Sequence, residues 1–240
     1  MKPDTICGIN AVRALFARRP ADVQRLFHTD EMKIEAGPFC AELAKLKKPY
    51  RMVDAPTLEK IAGTGHHGGI VAVARTRLVP VFDRANPPRL PFLLVLDGIG
   101  NPHNLGAIAR SAAFFGVRTM LIGEGLGHAL PSDAAYRISE GGMEALDLFK
   151  TRDLPASLVA LQPYYRTVAA SLTPDAALLA ALPRDRPLAL VLGNEEHGIS
   201  PEVLAVCRRE VRIPGSGTVQ SLNVAQAAAV LLHALTGPRL

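Results

Sequence analysis

The 240-residue chain has no tryptophan, 5% aromatic residues and three cysteines. Cys7, Cys40 and Cys207 are odd in number, scattered and without metal-ligand spacing. That excludes a disulfide framework and a cysteine-based metal module, and fits reduced thiols in a cytoplasmic protein. No stretch approaches the roughly 18 uninterrupted apolar residues that cross a bilayer. The opening MKPDTICGINAVRALFARRP lacks the apolar core of a signal peptide, so no membrane partner is expected. Internal repeats and low-complexity tracts are also missing. Net charge is missing too, but only from part of the chain. Residues 78–240 hold 14 basic and 14 acidic residues, whereas residues 1–77 hold 13 and 8, which is the whole of the +5. Two readings of that excess stand: a solvated basic face, or an electrostatic footprint for an anionic polymer.

What is present is 48% apolar residues, enough for a large core. The first segment alternates helical and extended patterns. Asn10 is placed to cap AVRALFARR, which stops at Pro20, and Val23–Phe27 reads as extended. Pro38 opens a helix, Tyr50–Val53 is extended, Pro56 starts a short helix and Gly69–Val73 closes the segment as a strand. This predicts a small α/β domain over 1–77. Residues 78–91 carry four prolines without periodicity and read as a linker. From Phe92 to 240, the apolar runs FLLVLD, RTMLIG, DLFK, RTVAA, LALVLG and EVRIP alternate with helical stretches. Continuous apolar strands joined by helices predict a mostly parallel sheet covered on both faces.

Ligands of open parallel sheets bind beyond the carboxyl ends of the strands. Three strand ends here are polar and glycine-rich: LDGIGNPHNLGAIAR, LVLGNEEHGIS and IPGSGTVQSLNVAQAAAVLL. A nicotinamide dehydrogenase would use Gly98-x-Gly100 and an acid such as Glu124, but His103 stands where the third glycine belongs. His66-His67 has no accompanying carboxylate or cysteine at metal-ligand spacing, so no metal is expected. His103 and His197 flank the loops, where a histidine is usually incidental.

In this order the three loops resemble the SpoU/TrmH family of RNA 2′-O-ribose methyltransferases, of the trefoil-knotted SPOUT class. N-x-x-N-x-G-A-I-x-R-S-A is represented by Asn101–Ala112, G-x-E-x-x-G by Gly193–Gly198 and S-L-N-V by Ser221–Val224. The front segment, from GINAVRALF to HHGGIVAVA, is similar to the L30e-like RNA-binding domain of many members. Two positions depart from the pattern. Gly215 replaces a bulkier residue in the third loop, and Gly68 replaces the glutamine of H-Q-G.

The resemblance implies a SPOUT α/β domain with a knot behind an L30e-like domain, and S-adenosyl-L-methionine as cofactor. It implies structured RNA as substrate, ribosomal RNA ahead of transfer RNA, and a homodimer through the second domain with sites drawing on both protomers. Leu192, Gly193, Ile213 and Leu222 match the backbone-lined cofactor positions. Asn104, Arg110, Glu195, Ser221 and Asn223 match the catalytic polar positions, with Asn104 and Arg110 beside the target ribose and phosphate. Arg110 is the residue the family assigns to proton removal. A guanidinium is a poor base near neutrality, so phosphate binding is the alternative and the favoured role. Ser221 and Asn223 have a plainer reading as helix caps, and Asn101 as a turn residue. A different class also stands: a ribosomal-RNA-binding protein with a degenerate methyltransferase domain.

Overall fold

The computed structural model describes residues 2–125, 127–173, 176–183 and 185–237. The chain divides into two compact units, Met1–Leu78 with Pro131–Ala145, and Val79–Leu130 with Leu146–Leu240.

The first unit contains β1 (Asp4–Cys7), α1 (Ile9–Arg18), β2 (Val23–His28), α2 (Lys33–Lys45), β3 (Tyr50–Met52), α3 (Ala55–Ala62) and β4 (Ile70–Ala74). Its sheet has the order β1-β4-β2-β3, with β4 antiparallel to β1 and β2, and β3 parallel to β2. Two helix starts differ from the sequence pattern. Gly8, at φ 90°, precedes α1, and Asn10 lies inside the helix, where its amide donates to Glu140. A left-handed entry suits only glycine at low cost, so the backbone sets this start. Pro38 does not open α2 but lies within it, after a start at Lys33. Its ring removes one bond to the carbonyl of Ile34, a residue 87% exposed, where water can serve that carbonyl.

The second unit begins with β5 (Phe92–Leu96), α4 (Pro102–Phe114) and β6 (Thr119–Gly123). The chain then supplies α5 (Asp133–Ser139) and α6 (Gly142–Ala145) to the first unit. It returns with β7 (Asp147–Thr151), α7 (Leu154–Leu161), β8 (Arg166–Ala170), β9 (Ala177–Leu178), β10 (Leu188–Leu192), α8 (Pro201–Val206), β11 (Arg209–Arg212) and α9 (Val224–Thr236). These strands form one sheet of order β7-β6-β5-β10-β8-β11-β9, and every pairing in it is parallel. Every residue of β5 and β10 is buried, which is why both read as unbroken apolar runs. A core of Leu93, Val95, Ala189 and Val191 meets Leu154, Leu158 and Leu161 of α7 and Val203 of α8.

Two segments depart from the expected 1–77, 78–91 and 92–240 division. Residues 79–91 are not a detached linker: Phe82 is 5% exposed in the core of the second unit, and its N–H donates to the Lys150 carbonyl at 2.8 Å. The Tyr165 hydroxyl also accepts from the Leu90 N–H. Prolines interrupt periodicity without preventing such packing. Residues 131–145, expected in the second domain, belong to the first unit. There the Asp133 carboxylate accepts from the Thr5 N–H at 2.9 Å, and Arg19 of that unit pairs with Glu144 at 2.7 Å.

Candidate active site

The sheet reverses its winding between β5 and β10, which are neighbours although far apart in sequence, and a ligand crevice forms at the carboxyl ends of such strands. Backbone and side chains tie the two loops leaving them. The Asp97 N–H donates to the Leu192 carbonyl, and the Asp97 carboxylate accepts from both the N–H and the hydroxyl of Ser200, each at 2.8 Å. The Asn194 amide donates to the Gly98 carbonyl at 2.7 Å, while its oxygen accepts from the N–H groups of Glu196 and His197. Asp97, Asn194 and Ser200 therefore fix the loops, although none of the three stands out in the sequence. A polar residue after a strand is too common for spacing alone to mark it.

Glycines close the second loop. Asn194 and Gly198 exchange both backbone hydrogen bonds, at 2.8 and 3.0 Å, and Gly198 takes a φ of 72°. Gly193 lies so close to the backbone of Gly198 and Ile199 that a Cβ there would collide with it. A side chain at 193 would force the turn open.

The polar positions fall into a connected and an unconnected group. Asn104, in the first turn of α4, donates from its amide to Glu195 at 2.5 Å and accepts from the Asn223 amide at 3.2 Å. Asn223 also caps α9 through the Ala225 N–H at 2.9 Å, so it serves as helix cap and as partner of Asn104 at once. Asn101 is the cap of α4, bonding the His103 N–H. One residue from each of the three loops thus joins a single chain, Glu195–Asn104–Asn223. Ser221 and Arg110 are exposed and have no hydrogen bond to that chain among the described residues. Six helical positions separate Arg110 from Asn104, so it projects from a different side of α4.

Among the nine expected site positions, Leu192 is buried at the end of β10, Gly193 and Ile213 are half-buried, and Leu222 is 46% exposed. Between Ile213 and Leu222, no backbone-to-backbone hydrogen bond occurs among the described residues. Main-chain groups not committed to one another suit a ligand held by main chain rather than by a charged clamp. That is the donor set expected for S-adenosylmethionine, and no cationic side chain occurs in 213–223. Glu124, the acid a dehydrogenase would need for a ribose, is engaged by Lys150 at 2.7 Å and Arg152 at 3.4 Å. Those cations hold its carboxyl below the usual range. His67 serves its own turn, accepting from the Gly69 N–H, and no metal-binding cluster of His, Cys, Asp and Glu occurs among the described residues.

Residues 91–233 match the SpoU rRNA methylase family, and residues 5–77 match the RNA 2′-O ribose methyltransferase substrate-binding family. The chain belongs to the SpoU methyltransferase family. It is 31% identical over 245 residues to the 23S rRNA (guanosine-2′-O-)-methyltransferase RlmB of Yersinia pestis, covering 98% of both proteins. The fold is similar to that of an rRNA methyltransferase from Sinorhizobium meliloti, with a TM-score of 0.79 and 20% identity over 98% of this chain and 86% of the other. It is also similar to the SpoU methyltransferase AviRb of Streptomyces viridochromogenes in complex with AdoMet, with a TM-score of 0.77 and 21% identity over 98% and 89%.

Proposed function

We propose that this protein is an S-adenosylmethionine-dependent methyltransferase acting on a ribose 2′-hydroxyl of ribosomal RNA, with a 23S rRNA guanosine as the target. The observation that carries the reading is the Glu195–Asn104–Asn223 chain at the switch point of a parallel sheet, in a member of the SpoU family. The related RlmB proteins, named for that reaction and matched over nearly their whole length, support the choice of RNA.

S-adenosylmethionine supplies an electrophilic methyl group, so the chain's own task is to position the ribose and let the hydroxyl proton leave. The main chain of Leu192, Gly193, Ile213 and Leu222 would hold the cofactor. Asn104, fixed between Glu195 and Asn223, offers a rigid polar surface to the ribose. Ser221 adds a hydroxyl within the loop preceding α9.

Arg110 binds the neighbouring phosphate in this reading, and it does so in the site of a second protomer. Its exposure and its separation from Asn104 on α4 support a site completed across a homodimer. So does the exposed apolar surface of the second unit, where Phe114 is 82%, Leu222 46% and Val230 41% exposed. Phe115, which caps the end of α4, meets His233 of α9 with ring centres 5.7 Å apart, which holds the two helices as one face. The trefoil knot belongs to the same proposal. It is the arrangement by which the second and third loops would share one cofactor.

The test is incubation with tritiated S-adenosylmethionine and unmodified 23S rRNA, followed by mapping of alkali-resistant ribose positions. One labelled guanosine is the expected result. Cofactor and RNA binding without any methyl transfer would instead favour a non-catalytic RNA-binding protein.

A further inference from the structure

A parallel sheet brings all its strand starts to one edge, and arginines crowd the starts in the second unit. Arg118 immediately precedes β6, Arg166 opens β8, Arg186 lies two residues before β10, and Arg208 and Arg209 lead into β11. Arg89 lies three residues before β5. Nothing in the proposed chemistry uses this edge, because the catalytic loops leave the opposite ends of strands about 17 Å long. Residues 78–240 are neutral by count, yet six of their 14 basic residues gather here.

Two adjoining cavities lie along the edge, of about 1150 and 430 Å3, and both are lined by Tyr165 and Arg186. Asp185, paired with Arg166 at 2.6 Å, is their one acidic lining residue among the described residues. Some of the guanidiniums have structural work. Arg186 donates to the carbonyls of Gln162 and Pro163, and Arg208 donates to the Gln162 side chain. Three others do not: the side chains of Arg89, Arg118 and Arg209 are exposed and make no hydrogen bond or ion pair among the described residues. The Arg89 guanidinium lies over the Tyr164 ring, 4.3 Å from its centre, and Phe115 lines the same cavity. Unpaired guanidiniums beside aromatic faces match the repeating phosphate and base of a nucleic-acid strand. Two adjoining cavities of these volumes offer far more room than one small anion fills.

We propose that this amino-end edge is a second RNA-contact surface, where Arg89, Arg118 and Arg209 bind phosphates of a single-stranded segment of the substrate and Tyr164 offers a stacking face. The proposal rests on RNA being the substrate. It divides phosphate binding between this edge and the basic first unit.

The test compares the full-length protein with an Arg89→Ala/Arg118→Ala/Arg209→Ala variant in titrations of unmodified 23S rRNA at several salt concentrations. Each lost single-strand phosphate contact lowers the log–log salt slope by about 0.7, so a fall of about 2 is expected, with affinity at least ~10-fold weaker at low salt. S-adenosylmethionine affinity and melting temperature should stay unchanged, and the triple Arg→Lys variant should keep most of the slope. Unchanged RNA affinity and slope in the alanine variant would overturn the proposal. So would uridine monophosphate binding that the three substitutions abolish while RNA binding stays intact, since the edge would then be a mononucleotide site. Binding is read separately from methyl transfer. A wild-type protein that binds RNA through this edge but never methylates it would sink the proposed activity and leave the surface standing.

Discussion

Asn104 and Glu195, 91 residues apart in the chain, meet side chain to side chain at 2.5 Å, and the same Asn104 amide accepts from Asn223. One short side chain is thus the joint between three loops. Asn104→Ala removes both bonds from a partly solvated site, so stability should fall by no more than about 1 kcal/mol. Single-turnover methylation should slow by at least ~10-fold. Asn104→Asp sets a second carboxylate against Glu195 and should be slower still. An aspartate variant faster than the alanine one would show that this contact does not position the loops.

Arg110 is tested by rate and by subunit mixing. Arg110→Ala should lower the methylation rate by at least ~100-fold, about 2.7 kcal/mol, with cofactor affinity nearly unchanged. Arg110→Lys should keep RNA affinity and lose turnover, because the planar fork is lost while the charge remains. If each site takes Arg110 from one protomer and Asn104 from the other, mixing the slowed Arg110→Ala and Asn104→Ala proteins rebuilds one intact site per mixed dimer. Recovery of activity on mixing is expected. Its absence in proven mixed dimers would confine each site to one chain.

The strands were the most legible part of the sequence, because full burial of β5 and β10 leaves no polar residue to confuse the pattern. The three loops were legible as glycine-rich strand ends. What ties the first two was not: Asp97, Asn194 and Ser200 act through a few hydrogen bonds between loops that only the fold brings together. The destination of α5 and α6 was hidden for a similar reason. An apolar helical period shows that a face is buried but not which unit buries it. Proline density misled over residues 79–91, where Phe82 fills a core position.

Gly193 supplies a steric prediction. A Cβ there would strike the backbone of Gly198 and Ile199, so Gly193→Val should open the Asn194–Gly198 turn and abolish S-adenosylmethionine binding. Ser221→Ala removes a hydroxyl with no partner among the described residues, and should keep most cofactor affinity. Calorimetry showing normal binding by the valine protein would remove this turn from the cofactor site.

The thiols make a prediction about pH. Burial raises the Cys7 thiol from 9.0 to about 11 and the Cys207 thiol to about 12. At pH 8 both should react with iodoacetamide far more slowly in the native protein than in urea. A folded pKa above the unfolded one gives stability that is full below pH 9 and lost as pH rises towards 11 and 12. Denaturant midpoints should therefore fall above pH 9, and replacing Cys7 and Cys207 by alanine should flatten that fall. Equal midpoint shifts in the two proteins would assign the alkaline loss to other groups.

The charge cluster of the first unit decides how far the chain can be cut. Arg19 pairs with Glu144 at 2.7 Å and with Asp4 at 3.0 Å, and the side chains are only 10%, 1% and 9% exposed. Arg77 adds a longer contact to Glu144, at 3.7 Å. Removing one partner of a buried pair strands the other charge, so Arg19→Ala should cost about 3 kcal/mol or more. Arg19→Met/Glu144→Leu also removes the more deeply buried of the two stranded carboxylates, so it should cost less than the single change. A chain beginning at Asn86 loses Arg19 and also Phe82, so it strands Glu144 and opens a gap in the second unit's core. It should melt well below the whole protein, while Glu144→Leu within that shortened chain should recover part of the loss. A shortened chain as stable as the full one, and indifferent to Glu144→Leu, would mean that residues 131–145 draw nothing from the first unit.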